Sequence, residues 1–243
     1  MPSQPKLQKS VLAFMLAGFC IVGLCGCNMG ARLQNIRGRQ AFEAGQFNEA
    51  ANRFQIALQR KPSDPNALYN LASTYHNVAK VTRNWPLLGQ AEQFYRQAIT
   101  ADSRYADAHR GLAVLLAETG RTDSAFDLVR TWQQRNPQSA EPLVELARLY
   151  QEFGDRTQAT QLLTDALVRD GQNARALTAM ANIRESEGQY QLALQNYYRA
   201  YQANSQQPGV AAKIAQLQNQ LQMQAIGQPA PQRWGSANPY VPR

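Results

Sequence analysis

Small apolar residues return along this chain at a fixed step of 34. Ala113, Ala147 and Ala181 keep that step, as do Ala125, Ala159 and Ala193, and Gly120, Gly154 and Gly188. Gly45 precedes Gly120 by 75 residues, two steps plus seven, so one unit carries an insertion. A period of this length marks a chain built from stacked supersecondary units. Divided at this step, the body falls into five units: 31–64, 65–105, 106–139, 140–173 and 174–207, the second bearing the insertion. Each unit predicts two helices. The four glycines fall where a first helix must stop and a left-handed residue is tolerated. Ser63-Asp64-Pro65 places capping residues before a proline at a first helical turn, and Ser139 and Asn173 hold equivalent places. Residues 208–225 read as one more helix, with Val210, Ile214, Leu217 and Leu221 on a single stripe. Residues 226–243 hold four prolines and no periodicity and are expected to be a disordered tail, either bland or anchored through Trp234 or Tyr240.

The pattern resembles the tetratricopeptide repeat, a helix–turn–helix unit. That family wants small residues at repeat positions 8, 20 and 27, where two helices cross closely. Here those positions hold Gly38, Ala50 and Ala57; Ala72, Ala91 and Ala98; Ala113, Ala125 and Trp132; Ala147, Ala159 and Ala166; Ala181, Ala193 and Ala200. Only Trp132 departs, and it must displace its neighbours or point outward. Bulk is wanted at position 24, which holds Phe54, Tyr95, Val129, Leu163 and Tyr197. Pro62 and Pro137 occupy the position where the family often ends the second helix; Ser103, Gly171 and Ser205 depart from it. The resemblance implies an all-α fold: a right-handed α-solenoid of five repeats closed by a C-terminal capping helix. In the first unit, Gln34 and Arg37 replace bulky residues, as suits a terminal helix that no earlier repeat covers.

The N-terminus reads as an export signal. Lys6 and Lys9 precede the uncharged run Val11 to Leu24, which has the length of a signal-peptide core and is short for a span needing about 20 apolar residues. Leu24-Cys25-Gly26-Cys27 follows and resembles the lipobox of bacterial lipoproteins. Of the three cysteines, only Cys27 has a small residue before it and Leu at the right distance. The resemblance implies a signal peptide over 1–26, a short linker over 27–30, and three acyl chains on Cys27. An uncleaved signal anchor is the other reading. Asn28 as second mature residue, rather than Asp, favours the outer over the inner membrane. The expected location is the bacterial envelope, facing the periplasm. Cleavage would leave neither a free thiol nor a disulfide in the mature domain.

The formal net charge is +8, and removal of Lys6 and Lys9 brings it to +6. No basic block accompanies it, so the balance describes a solvated surface and no nucleic-acid partner is expected. Catalysis has little to stand on. His76 and His109 lie at different repeat positions, without a metal-ligand spacing; His109, where the repeat buries an apolar residue, reads as a packed core histidine. No Gly-rich phosphate loop, GxSxG or HExxH occurs. An enzyme is not expected, nor a metal or cofactor.

A binding module fits better. In this family the first helices line a groove through repeat positions 2, 5, 6, 9, 12 and 13. Those positions predict a protein-binding surface of Asn35, Arg39, Tyr69, Asn70, Ser73, His76 and Arg110, basic and amide-rich, with Arg148 among the mostly acidic residues Glu141, Glu145, Glu152 and Glu185 of the later units. Arg suits carboxylates and Asn suits peptide backbone, so an extended segment with some negative charge is the expected partner. Asn35, Arg39 and Asn70 match only part of the carboxylate clamp known in some family members, since Asp107 and Gly111 stand where basic residues belong. Trp85, in the insertion, is either part of a lengthened helix end and loop or a partner contact. The combined expectation is a lipid-anchored scaffold resembling pilotins, secretion-system assembly factors and cell-wall adaptors. The alternative is a self-associating structural envelope protein, joined through Trp85 or Trp132.

Overall fold

A computed structural model describes residues 29–207 and 209–227. The segment read as an export signal, Cys27 and residues 228–243 lie outside the described residues. Eleven helices are present among these residues, with no strand: α1 (29–43), α2 (Phe47–Arg60), α3 (Pro65–Thr82), α4 (Pro86–Ala101), α5 (Ala106–Glu118), α6 (Thr122–Arg135), α7 (Glu141–Glu152), α8 (Arg156–Arg169), α9 (Ala174–Ser186), α10 (Tyr190–Ala203) and α11 (Val210–Gly227). The fold class is the α-solenoid built from helix pairs. The chain divides after Pro137 into two compact units, α1–α6 and α7–α11. None of the described helices is long and apolar enough to cross a membrane.

Local chemistry sets the helix ends. Asp64 accepts hydrogen bonds from the backbone N–H groups of Asn66 and Ala67, at 3.0 and 3.2 Å, and Pro65 opens α3. Asn173 caps α9 by accepting from Ala176 N–H at 3.0 Å. Ser139 stands one residue ahead of the cap of α7, Ala140, and its hydroxyl accepts from Glu141 N–H at 3.3 Å. Gly120, with φ of 75°, makes the left-handed turn between α5 and α6 that a side chain would resist. The seven inserted residues lengthen both helices of the second repeat: α3 has 18 residues where α5 has 13, and α4 has 16 where α6, α8 and α10 have 14. Arg83 then turns left-handed at φ 55°, and Trp85, 63% exposed, occupies the N-cap of α4.

Within the first unit, Ala41, Ala50, Phe54 and Leu71 form one core cluster, and Leu68, Ala98 and Ala108 another. The second unit is packed by Leu143, Ala147, Leu163 and Ala166 and, beneath α11, by Leu177, Tyr197, Ala200 and Leu217. The alanines at the helix crossings lose essentially all contact with water. Gly38 has no room for a Cβ because the Phe54 ring lies against it.

Trp132 points inward and is 2% exposed. It stacks flat on His109, with ring centroids 4.3 Å apart and planes 2° from parallel. The second, fourth and fifth repeats place Leu68, Leu143 and Leu177 where His109 stands, and Ala98, Ala166 and Ala200 where Trp132 stands. The third repeat therefore replaces a leucine–alanine contact with a histidine–tryptophan stack, and its two departures from the pattern are one feature. His109 Nε2 lies 3.0 Å from the Ser103 carbonyl, which accepts its proton; buried Nδ1 has no partner. Burial pushes this imidazole below the ordinary histidine pKa, and nearby Arg135 adds to that, against the bond to Ser103. A cavity of about 330 Å³ opens beside the stack, between Ile99, Leu116, Leu128 and Arg135. Of the two tryptophans expected to join copies of the chain, only Trp85 is at the surface.

Trp132→Ala is expected to cost about 3–5 kcal/mol, measured by urea unfolding, because it removes a buried indole. His109→Leu added to Trp132→Ala restores the contact used by the other repeats and should recover part of that loss.

Candidate binding surface on the first helices

In the first unit, α1, α3 and α5 carry most of the residues whose spacing assigned them to a binding surface. Asn70 Nδ2 donates to Asn35 Oδ1 at 2.9 Å, tying α3 to α1 and leaving each amide further capacity. Arg39 is exposed and lies 3.9 Å from Glu43. Arg39, Glu43, Tyr69, Asn70 and Ser73 line a depression of about 130 Å³ with Phe42 and Phe54 in its wall. Tyr69 contacts the rings of Tyr95 and Tyr105 at centroid distances of 6.0 and 5.5 Å. Arg110, on α5, lies 3.3 Å from Asp107.

Tyr95 is the floor of this surface. Its ring passes between α3 and α5 because Gly111 has no Cβ; one built there would collide with the ring. The glycine that breaks the clamp pattern is thus required by an aromatic from the neighbouring second helix. The Tyr95 hydroxyl shares a hydrogen bond with Ser73, and burial raises its pKa far above the ordinary value.

His76 is buried, which corrects its assignment as an open groove residue. Its Nε2 lies 2.9 Å from Glu118 Oε2, and its ring meets Tyr95 edge-on at 6.2 Å. Lys80 donates to the other Glu118 oxygen at 2.6 Å. Burial pulls the Glu118 carboxyl upward, but hydrogen bonds from Lys80 and His76 outweigh it and hold the pKa below the usual range. Glu118 stands at repeat position 13, so its place was readable from spacing although its role was not. Together with Glu43 and Asp107 it makes the surface mixed in charge rather than basic.

Arg148 belongs to the second unit and is engaged internally. Its Nε lies 3.0 Å from Glu145 and its Nη1 2.8 Å from Glu152. Arg175 bridges Glu141 at 2.5 Å and also contacts Glu145, whose carboxylate is wholly buried. Glu185 accepts from Lys213 at 2.8 Å and from Tyr197 at 2.7 Å, fastening α9 to α11 and α10. The acidic set read from the sequence is therefore largely neutralised by its own arginines and lysine. Among the described residues no group of three or more His, Cys, Asp or Glu could hold a metal ion.

Glu118→Gln is expected to cost roughly 1 kcal/mol at neutral pH, a figure discounted for its partly solvated setting. The sign follows from a carboxyl held lower in the fold than its unfolded value near 4.5. Its stabilisation is full above that pH and is lost as pH falls through the folded pKa. Urea titrations of both proteins should therefore differ at pH 7 and converge under acid.

Three family profiles match the chain: a TPR repeat over 38–78, and tetratricopeptide repeats over 88–141 and 144–208. No curated protein matches. Among solved structures, TTC0263, a thermophilic TPR protein of Thermus thermophilus, is similar at a TM-score of 0.59 and 22% identity, covering 78% of this chain and 99% of its own. PilF of Pseudomonas aeruginosa is similar at 0.52 and 20%, covering 84% of this chain and 95% of its own. These likenesses concern the fold. With its 34-residue period, small-residue crossings and helix pairs matched profile by profile, the chain belongs to the tetratricopeptide-repeat family.

Proposed function

We propose that the protein is a membrane-anchored scaffold of the bacterial cell envelope, which holds an extended segment of another protein on the α1–α3–α5 surface. Repeats of this family bind protein partners, and the observation that carries the finer reading is the arrangement of that surface. Arg39 and Arg110 offer guanidinium groups, Asn35 and Asn70 offer amides, and Tyr69 supplies an aromatic wall over buried Tyr95. Arginines pair with carboxylates, amides with peptide groups, and a tyrosine face with apolar side chains, so a partly acidic extended peptide fits. The Lys6–Cys27 segment supports export followed by lipid attachment, and Asn28 supports the outer membrane, facing the periplasm.

Two tests follow. Cys27→Ser should leave an unprocessed precursor that incorporates no labelled fatty acid; normal maturation of that variant would end the lipoprotein reading. For the surface, capture from detergent-extracted membranes followed by mass spectrometry supplies the partner. Arg39→Ala with Arg110→Ala should then weaken capture at least about tenfold, since hydrogen bonds to charged groups contribute roughly 1.5–3 kcal/mol each. Arg156 on α8 serves as the control. Arg121 and Arg130 do not: Arg121 pairs with Glu92 at 2.8 Å, and Arg130 lies over the Phe126 ring and 3.7 Å from Asp127. Equal loss in the control, or normal capture by the Arg39/Arg110 variant, would place the partner elsewhere.

A further inference from the structure

The outward face of α1 is not the polar surface expected of a terminal helix. Met29 is 78% exposed, Leu33 46% and Ile36 53%. At 3.6 residues per turn these three lie within an arc of about 60°, with Arg32 and Arg37 each roughly 40° beyond one edge. The opposite side of the helix, through Ala31, Gly38 and Ala41, is buried in the first unit. Arg60 adds a third cation: its guanidinium lies directly against Gly30, where any side chain would displace it. Arg32, Arg37 and Arg60 form no ion pair among the described residues, whereas Arg39 on the same helix lies near Glu43.

We propose that this face of α1 lies on an anionic membrane surface. An apolar stripe bordered by arginines is the pattern of a helix lying in the plane of a lipid interface, with its apolar residues among the upper acyl chains and its cations at the phosphates. Three arginines without an ion pair among the described residues complement a negative headgroup layer. Position in the chain supplies the membrane. Cys27 precedes Met29 by two residues, a reach of at most about 7 Å, and the apolar run Val11–Leu24 ends just before it. The inference rests on the reading that Cys27 anchors the chain, and it adds an orientation: α1 is laid flat and the first repeat is held against the bilayer.

The test uses the full chain, produced in a host that processes lipoproteins and reconstituted in vesicles of phosphatidylethanolamine and phosphatidylglycerol. An environment-sensitive dye is carried on an unnatural amino acid at position 36, or at position 97 on α4 as a control. Nitroxide on the upper acyl chain is the quencher, and intact mass of the same sample reports whether Cys27 carries lipid. The expected result is a lipidated chain whose dye is quenched at 36 and not at 97. Arg32→Glu and Arg37→Glu should each lower the ratio of membrane-seated to water-exposed dye roughly fivefold. Lipid on Cys27 with an unquenched dye at 36 overturns the contact and leaves the anchor standing. A quenched dye without lipid on Cys27 keeps the contact and removes the lipidated anchor. Loss of both removes both. A dye shielded from water yet beyond reach of the nitroxide, in a chain that light scattering shows to be a dimer, assigns the stripe to a second copy and overturns the proposal.

Discussion

The closeness with which paired helices cross governs the rest of this protein. Where Ala50, Ala72, Ala91 and Ala113 meet their neighbours, no exposed surface is left, and larger side chains have space only where something opposite has given way. Packing at this density makes each substitution a local exchange of volume. Phe54 takes the space that Gly38 leaves, and Tyr95 takes the space that Gly111 leaves. Trp132 has no such glycine and instead recruits a flat partner, His109, at stacking distance. Beside that stack lie an open pocket and a ring nitrogen without a partner.

Charge is handled in the same local way. In the second unit the buried Glu145 is met by Arg148 and Arg175; a lone carboxylate there would carry a large desolvation cost. In the first unit Glu118 gathers His76 and Lys80, linking α3 to α5 from the side of the binding surface.

The repeat register was legible in the sequence because a single physical requirement, small residues at crossings, recurs at fixed spacing. The caps at Asp64 and Asn173 were legible because their chemistry is confined to a few residues. The insertion could be counted, but its division between a longer α3 and a longer α4 could not be read from the spacing. The candidate surface was legible only in part. Repeat positions told which helix face a residue occupies, and so grouped Arg39, Tyr69, Asn70 and Ser73 correctly. They did not tell which of those residues are already engaged. His76 and Arg148 are spent on carboxylates of their own unit, and such pairings depend on distances across helices that one-dimensional spacing does not carry. The outward stripe of α1 was hidden because attention to positions 4 and 7 of the first repeat finds Gln34 and Arg37, whereas the exposed residues are Met29, Leu33 and Ile36.

The division after Pro137 has a consequence for how occupancy is felt. In chains assembled from repeats, stability is a sum of local contributions rather than one global quantity. A ligand held on α1, α3 and α5 would act most directly on the stability of the unit that holds it. A partner bound there would be read by hydrogen exchange as added protection concentrated in 29–137.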